Sequence, residues 1–345
     1  MPPICLTHRT YTVHLREPFR ISRGTQTIAQ PVIVTLTADG FSGIGEAAPS
    51  SFYGETTATV LAAIEHFGTQ FNYVLGDIQS FHDYLNNTLR FHPAAKSAMI
   101  SAAYDLFGKS IGQPVYRLLG LDPQRTPLTS FTIGISEPEE MARKAREAQP
   151  YPVLKVKVGT NDDVARLTAI RHARPEAIIR VDANGAWTPR QAITMLERLQ
   201  PFNIQFVEQP VAAHDIAGLA WVRDHASLPI FADESCVTAR DVPRVANAVD
   251  GIVVKLAKTG GIVGALEQIT AARLAGKQIM LGCMIETSVG ITAAAHLSPL
   301  VDYADLDGNL LILDDPFTGV TVKEGKLILP ERPGLGIGPR ESDAG

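Results

Sequence analysis

The spacing of hydrophobic and polar positions changes about fifty residues into the chain. Before that point the pattern is that of β-strands, and "PVIVTLTADGFSGIGEA" indicates a hairpin with "ADG" as its turn. From Glu55 to about Gly120 the spacing is helical, most clearly in "AAKSAMISAAYDLFGKSIG", which ends on a helix-terminating Gly. The first third of the chain therefore predicts a domain built from strands and helices.

From about Pro127 onwards, short β-rich runs alternate with helical runs. The predicted strands are "LTSFTIGI", "PVLKVKVG", "AIIRVDANG", "IQFVEQP", "PIFADES", "GIVVKLAKTGG", "QIMLGCMIETS" and "YADLDG". Helical patterns such as "EEMARKAREA" and "PRQAITMLERL" lie between them. Eight strands in regular alternation with helices favour a closed parallel α/β barrel. An open doubly wound sheet is the alternative, but "FTIGISEPEE" lacks the GxGxxG phosphate loop that usually follows its first strand.

Two domains follow from this change of pattern. We assign residues 1–124 to an N-terminal α+β domain and residues 125–316 to the barrel. The tail, residues 317–345, contains "GVTVKEGKLILP" and has no helix to pair with. We expect the tail to pack back on the N-terminal domain and complete it.

Composition narrows the class of protein. The formal net charge of −5 over 345 residues leaves no basic footprint, so we expect no nucleic-acid partner. The apolar runs are too short to span a bilayer and "MPPICLTHRT" has no signal-peptide pattern, so we expect no membrane partner. The three cysteines, Cys5, Cys236 and Cys283, are odd in number and far apart, which favours a reducing cytoplasm. A homo-oligomer is left open.

Ionisable residues stand at the carboxyl ends of five consecutive predicted strands. They are Lys157, Asp182, Glu208, Asp233 and Lys255, separated by 25, 26, 25 and 22 residues. Each step is about one strand-helix unit, so we expect the five side chains at equivalent heights of the barrel. Active sites of such barrels lie at this end of the strands. Single charges at strand ends are often solvated rim residues, but that interpretation does not suit five in succession.

The three carboxylates on neighbouring strands would repel one another unless a cation lay between them. Oxygen ligands without His or Cys indicate a hard ion, and Mg²⁺ is the predicted cofactor. Asp182, Glu208 and Asp233 are its predicted ligands. A hydrogen-bonded structural acid cluster is the alternative.

Lysines 157 and 255 belong to strands two and six, which lie on opposite sides of an eight-stranded barrel. Two bases on opposite faces of one carbon suit a 1,1-proton transfer, in which one removes the α-proton and the other returns a proton on the far side. A metal would stabilise the enolate formed between these steps. Lys155, two residues before Lys157, faces the same way. We expect Lys155 to lower the pKa of Lys157 and to contact the enolate oxygen. The alternative, an exposed edge strand protected by lysines, does not suit a closed barrel.

Strand eight carries "DLD", with Asp305 and Asp307 on one face, opposite strand four and the predicted metal. Two carboxylates there would hold a cationic group, and an α-ammonium is the obvious candidate. Helix capping or a solvated turn around "DG" is the alternative.

Taken together, "KVKVG", "RVDANGAW", "VEQP", "ADES", "VVKLAKTGG", "GCMIETS" and "ADLDG" occur in one order along the chain. This set resembles the enolase superfamily, muconate-lactonising-enzyme subgroup, and within it the dipeptide epimerases of the L-Ala-D/L-Glu type. The resemblance covers nearly the whole chain. It implies a modified (β/α)₇β barrel, the modified TIM barrel of the enolases, with an α+β capping domain formed by the N-terminal part and the tail.

The resemblance also implies a role for each matching residue. Lys157 and Lys255 match the acid/base pair, with Lys155 beside the base, and Asp305 and Asp307 match the pair that binds the amino terminus of a dipeptide. The matches to the Mg²⁺ ligands are Asp182, Glu208 and Asp233, and those to positions lining the substrate are Thr132, Met284, Ile285 and Glu286.

Specificity in the resembling family lies in capping-domain loops, here "RISRGTQT" and "PSSFYGE". Arg23 is a candidate for binding a glutamyl side chain, and the alternative is that Arg23 and Arg20 are ordinary surface charges. In related sequences the loop arginine stands at slightly different offsets, and Gln26 occupies one such place. Ile285 in "CMIET" brings no acid and disfavours a cationic side chain.

Three rival functions remain at this point. Another enzyme of the subgroup (muconate cycloisomerase, o-succinylbenzoate synthase or N-acylamino-acid racemase) would use the same lysines and carboxylates but has no need of "DLD". A class I aldolase would form a Schiff base on Lys255 without a metal. A non-catalytic barrel would have lost a ligand or a base, and none is missing.

Overall fold

The computed structural model describes residues 4–69, 71 and 73–340. Its N-terminal part contains five strands and four helices. The strands are β1 (Cys5–Thr10), β2 (Val13–Ile21), β3 (Gly24–Ala29), β4 (Val32–Ala38) and β5 (Phe41–Ala47). The helices are α1 (Thr57–Gly68), α2 (Ile78–Thr88), α3 (Pro93–Ser110) and α4 (Val115–Leu118). Strands β1, β4 and β5 form an antiparallel sheet, and β2 and β3 form a separate hairpin.

The predicted "ADG" hairpin is confirmed between β4 and β5. Asp39 and Gly40 both have positive φ angles, 51° and 79°, as a tight hairpin turn requires. Strand β5 then packs directly on α3, because Gly43 and Gly45 leave no side chain between them. A Cβ on Gly45 would lie 2.1 Å from the carbonyl oxygen of Ala98. This close contact places α3 in the core of the N-terminal domain.

The predicted barrel is confirmed, and the doubly wound alternative is wrong. Its eight parallel strands are β6 (Phe131–Ile133), β7 (Val153–Lys157), β8 (Ile178–Asp182), β9 (Ile204–Glu208), β10 (Ile230–Ala232), β11 (Gly251–Val254), β12 (Gln278–Gly282) and β13 (Tyr303–Asp305). They pair in this order, and a parallel bridge between Thr129 and Ala304 brings the last strand to the first. The barrel is therefore nearly closed.

Seven strand-to-strand connections carry the helices of the barrel. They are α5 (Pro138–Glu147), α6 (Asp163–Ala173), α7 (Pro189–Leu199), α8 (Ile216–His225), α9 (Val242–Val245), α10 (Leu256–Thr259), α11 (Ile262–Leu274) and α12 (Ser288–Ala295). The connection after β11 holds two of them, α10 and α11. Within the described ranges, no helix combines the length and apolarity needed to cross a bilayer.

An apolar layer fills the barrel below its carboxyl ends. Phe206, Phe231, Val253 and Met280 form a buried cluster on four adjacent strands. Three of them stand two residues before Glu208, Asp233 and Lys255 and so share their inward face, since strand side chains alternate. This layer keeps water from reaching the ionisable groups from below.

The tail forms short strands and contacts both domains. Its strands are β14 (Phe317–Thr318), β15 (Thr321–Lys323), β16 (Lys326–Ile328) and β17 (Gly338–Pro339). In the tail, Gly334 O accepts a hydrogen bond from Val115 N of the N-terminal domain. Gly325 O, also in the tail, accepts one from Thr129 N at the start of the barrel. Residues 341–345 lie outside the described residues, and the domain limits at 124 and 316 stay predictions.

Asp105 of α3 joins the tail to the N-terminal sheet. Its buried carboxylate accepts hydrogen bonds from Ile44 N at 2.8 Å, Leu335 N at 2.7 Å and Lys109 Nζ at 2.7 Å. We expect Asp105→Ala to lower the free energy of unfolding by about 3 kcal/mol, because two buried N–H groups lose their acceptor. Urea unfolding measures this change. Asp83→Ala, at an exposed position of α2, is the control, and an equal loss in both variants would contradict the role of Asp105.

Candidate active site

The ends of the barrel strands bring the five predicted ionisable residues together, but not at one height. Lys157 pairs in register with Asp182, and Asp182 with Glu208. Glu208, however, pairs with Phe231, which places Asp233 two residues further along. Phe231 pairs with Gly251, so Lys255 lies two residues further again. The expectation of equal heights is wrong for Asp233 and Lys255, because the strands of a closed barrel are staggered. Each step of two residues keeps the side chains on the inward face.

The three predicted metal ligands are fully buried carboxylates. Burial raises the pKa of Asp182, but Lys157 and Lys155 reverse this and hold that pKa below its ordinary range. Lys255 and Lys258 hold the pKa of Asp233 low in the same way against the effect of burial. Glu208 behaves differently, since burial and the neighbouring Asp182 carboxylate raise its pKa to about 8. A cation beside Glu208 would therefore relieve an electrostatic cost that the lysines do not remove.

Glu208 has the features of an incomplete cation site. Both of its carboxylate oxygens are buried without a hydrogen-bond partner of normal geometry. Its contact with Lys155 Nζ is short, 2.7 Å, but is an ion pair and not an aligned hydrogen bond. Among the described residues no three Asp, Glu, His or Cys side chains converge closely enough to hold a metal as they stand, because ammonium groups lie between the carboxylates. The donor set is all oxygen, which fits Mg²⁺ once these lysines turn aside.

The two predicted bases contact carboxylates on adjacent strands. Lys157 Nζ donates to Asp182 Oδ2 at 2.6 Å, and Lys255 Nζ donates to Asp233 Oδ2 at 2.8 Å. Room for the Lys255 side chain comes from Gly282, where a Cβ would lie 3.1 Å from Lys255 Cε. Burial lowers the pKa of Lys255, but Asp233 and Glu208 more than reverse this, so that pKa lies above its ordinary range.

Lys155 lies at the centre of the carboxylate cluster. Its Nζ is 2.7 Å from Glu208 Oε2, 2.7 Å from Asp305 Oδ2 and 3.2 Å from Asp182 Oδ2. Burial lowers its pKa, but Asp305 and Glu208 raise it well above the ordinary value. Both Lys155 and Lys157 are buried, so the exposed edge-strand interpretation is wrong.

Asp305 and Asp307 stand on β13 and just after it, opposite β9 in the strand order, and both are buried, so the solvated-turn alternative is wrong. Asp305 accepts from Ser130 Oγ at 2.6 Å and from Lys155 Nζ at 2.7 Å. Asp307 accepts from Thr132 N at 2.5 Å. Burial and the adjacent Asp305 carboxylate raise the pKa of Asp307 to about 7. An unbalanced carboxylate at this position favours a bound cation.

A cavity of about 490 Å³ lies between the barrel mouth and the N-terminal domain. The predicted residues that line it are Arg23, Gln26, Thr132, Lys155, Lys157, Asp233, Lys255, Met284, Ile285, Asp305 and Asp307. Asp182 and Glu208 are buried and do not line it. Glu286 does not line it either, since its carboxylate packs towards Gly290. A larger cavity of about 780 Å³ lies outside the barrel against α11 and contains no lysine, so the smaller one is the candidate active site.

Two loops of the N-terminal domain cover this cavity, as expected for "RISRGTQT" and "PSSFYGE". The first is the turn of the β2–β3 hairpin, fixed on the barrel by Ser22 Oγ, which donates to Ala183 O at 3.1 Å. The second places Phe52 and Tyr53 in the cavity wall. Gln26 donates to Ile28 O within its own hairpin at 2.8 Å. Arg23 is exposed but is not a free charge, since its Nη1 donates to the buried carboxylate of Glu234 at 2.6 Å.

Three residues of this site were not singled out from the sequence: Lys258, Asn184 and Glu234. Lys258, fully buried, donates to Asp233 Oδ1 at 2.6 Å and to Val253 O at 2.8 Å, which fixes the Asp233 carboxylate. Asn184 Nδ2 donates to Glu234 Oε1 at 3.1 Å. All three follow a strand end within a quoted motif, so their position next to Asp182, Asp233 or Lys255 was the available signal.

Comparison with known proteins finds two family models that match successive parts of the chain. Residues 4–120 match the model for the mandelate racemase/muconate lactonizing enzyme N-terminal domain, and residues 138–343 match the model for the enolase C-terminal domain-like family. An L-Ala-D/L-amino acid epimerase of Pedosphaera parvula is 42% identical over 325 residues, 92% of this chain and 93% of that protein.

Two solved structures extend the likeness to the whole fold. The dipeptide epimerase of Enterococcus faecalis, complexed with Mg and the dipeptide L-Leu-L-Tyr, has a TM-score of 0.91 at 40% identity and covers 96% of this chain and 98% of that one. The L-Ala-D/L-Glu epimerase of Bacillus subtilis, in a substrate-liganded complex, has a TM-score of 0.93 at 35% identity and covers 99% and 100%.

Proposed function

Because this chain belongs to the enolase superfamily, in its muconate-lactonising-enzyme subgroup, we propose that it is a Mg²⁺-dependent dipeptide epimerase. The reaction inverts the α-carbon of one residue of an L-Ala-D/L-Glu-type dipeptide or a related one. One observation carries the proposal: Lys157 and Lys255 line the same cavity from opposite sides of the barrel, with Asp305 and Asp307 at one side between them.

In the proposed mechanism, one lysine takes the α-proton of the bound residue and the other gives a proton to the opposite face. For L→D and D→L turnover the two lysines exchange roles. The base must be neutral before it acts, so its contact with Asp182 or Asp233 must give way. Lys155, already among three carboxylates, is placed to contact the oxygen on which negative charge develops.

Asp182, Glu208 and Asp233 are the residues that would hold Mg²⁺. When bound, the ion supplies positive charge that neutralises these carboxylates and stabilises negative charge on the substrate. Lys258 fixes the position of Asp233, because its Nζ donates a hydrogen bond of 2.6 Å to Asp233 Oδ1. The apolar layer of Phe206, Phe231 and Val253 keeps the site dry, which strengthens each of these interactions.

At the end of β13, Asp305 and Asp307 would bind the ammonium group of the dipeptide. Thr132, Met284 and Ile285 line the space beside them. This pair supports a dipeptide over the substrates of muconate cycloisomerase or o-succinylbenzoate synthase, which present no free α-ammonium. The three cysteines are free, which supports a cytoplasmic location.

The test of this function is a screen of L,L-dipeptides in D₂O with Mg²⁺. Deuterium is expected at one α-carbon, accompanied by the second diastereomer, and proton NMR measures both. Absence of exchange with every dipeptide, together with formation of o-succinylbenzoate from its precursor, would contradict the proposal.

Asp307→Ala is expected to lower kcat/KM for a free dipeptide by about 10²–10³-fold, because the buried ammonium loses a carboxylate partner. Steady-state polarimetry with L-Ala-L-Glu measures the loss. Asp224→Ala, at an exposed position of α8, is the control and should leave kcat/KM unchanged. Equal turnover of free and N-acetylated dipeptide by the wild type would refute the ammonium-binding role.

A further inference from the structure

Arg23 lies at the tip of the β2–β3 hairpin and connects three separate elements. Its Nη1 donates to Glu234 Oε1 at 2.6 Å, after β10, and to Asn184 O at 2.8 Å, after β8. Its guanidinium also lies over the ring of Phe52, with Cζ 4.3 Å from the centroid. The Glu234 side chain is only 2% exposed. The hairpin, the loop 48–55 and the barrel therefore meet at this one side chain.

A third cavity, of about 380 Å³, lies on the other side of Arg23 from the active-site cavity and is called the outer cavity. Four residues line both this outer cavity and the active-site cavity: Arg23, Phe52, Asn184 and Glu234. Gly185, Ala212 and the exposed His214 are among the other residues that line the outer cavity, and none of the predicted catalytic or metal-binding residues lines it. The shared residues are thus a partition between two spaces.

We propose that Arg23, held by Glu234 and packed on Phe52, is the wall that ends the substrate cavity and limits the size of the substrate there. This inference rests on the proposed dipeptide epimerase function and deepens it. In this role Arg23 determines specificity through the volume left for the substrate side chain. It does not serve as the receptor of a glutamyl carboxylate.

The position of the wall shows which end of the substrate it would meet. Asn184 and Glu234 follow β8 and β10, on either side of β9, which lies opposite β13 in the barrel. Asp305 and Asp307, the proposed ammonium site, belong to β13 and its end. A dipeptide held there by its amino terminus therefore points its C-terminal residue towards Arg23.

Charge balance argues against a carboxylate receptor. The one positive charge of Arg23 is already neutralised by a buried carboxylate at 2.6 Å. A substrate carboxylate at the same place would face Glu234 as well as Arg23, and the two effects on it would oppose each other. Burial lowers the pKa of the Arg23 guanidinium, but Glu234 more than reverses this, which shows how closely the two side chains are paired.

The experiment compares Arg23→Ala with the wild-type protein on two pairs of substrates. For L-Ala-L-Trp against L-Ala-L-Val, the ratio of kcat/KM values is expected to rise about tenfold in the variant, since space behind the wall becomes available to the larger side chain. For L-Ala-L-Glu against L-Ala-L-Gln, which differ in charge and little in size, the ratio is expected to stay within about twofold. A selective tenfold loss on L-Ala-L-Glu, or an unchanged Trp/Val ratio, overturns the proposal.

Two further variants sharpen this test. Arg20→Ala removes the same charge from the same hairpin at an exposed position outside both cavities, and should change neither ratio. Phe52→Ala removes the other side of the wall and should shift the Trp/Val ratio in the same direction as Arg23→Ala. If Arg20→Ala shifts the Trp/Val ratio as much as Arg23→Ala does, the charge of the hairpin is the cause, and the proposal that Arg23 limits substrate size is overturned.

A crystal structure of Arg23→Ala separates this inference from the proposed function. The two cavities are expected to merge into one continuous space, and an intact partition overturns the proposal. If the wild-type protein epimerises no dipeptide, the proposed function fails on that result alone. The role of Arg23 as a partition is then tested by whether the two cavities merge in the crystal structure of the variant.

Discussion

Lys157→Ala and Lys255→Ala are each expected to abolish interconversion of the two dipeptide epimers, with a loss in kcat of about a thousandfold or more. Each variant lacks the group that acts on one face of the α-carbon. The remaining lysine still reaches the other face, because the two side chains enter the cavity from opposite strands. Each variant should therefore exchange the α-proton of one epimer with solvent deuterium, and the two variants should act on opposite epimers.

Proton NMR in D₂O with each pure epimer measures this pattern. Lys323→Ala, at an exposed position of the tail, is the control and should keep both exchange and epimerisation. Exchange of both epimers by either lysine variant would refute the assignment of one base to each face. Trapping of a borohydride-reduced adduct on Lys255 would instead favour the aldolase alternative.

Glu208→Gln is expected to change the affinity for Mg²⁺ and the stability of the metal-free protein in opposite directions. Affinity should fall by about 10²-fold or more, because one of three charged oxygen ligands is lost. The metal-free protein should become more stable by about 1–3 kcal/mol, because a buried carboxylate without aligned hydrogen bonds beside Asp182 is replaced by a neutral amide. If the carboxylates were only a structural acid cluster, Glu208→Gln would not change Mg²⁺ affinity and stability in opposite directions.

Titration calorimetry with Mg²⁺ and thermal unfolding with and without the ion measure the two effects. In the wild type, a chelator should remove epimerase activity and added Mg²⁺ should restore it, with a rise in Tm on binding. Glu197→Gln, at an exposed position of α7, should change neither quantity. Activity that persists in excess chelator would contradict the metal site.

The sequence predicted most of the barrel because its signals are local. The segments that form β7 and β8 are rich in strand-favouring residues such as Val and Ile, and turns and helix ends mark the limits between elements. The alternation of side chains along a strand placed Lys155 and Lys157 on one face, and a spacing of about one strand-helix unit placed Asp182 and Glu208 beside them. Pairing of Lys157 with Asp182 and of Asp182 with Glu208 agrees with that interpretation.

Three features of the site depended on contacts between distant parts of the chain. The stagger that sets Asp233 and Lys255 beyond Glu208 arises from closure of the sheet into a barrel, which no single strand encodes. The raised pKa of Lys255 arises from carboxylates that surround its ammonium group. The place of the Asp307 carboxylate arises from its hydrogen bond with Thr132 N, 175 residues earlier in the chain.

By itself, then, the sequence determined which chemical groups this protein carries and on which strand ends they stand, because element type and spacing follow from local pattern. Only the tertiary structure decided what those groups contact. Arg23 illustrates the difference: its guanidinium meets Glu234, 211 residues away in the chain. Such a contact depends on how the hairpin docks on the barrel, and the packing of the two domains fixes that.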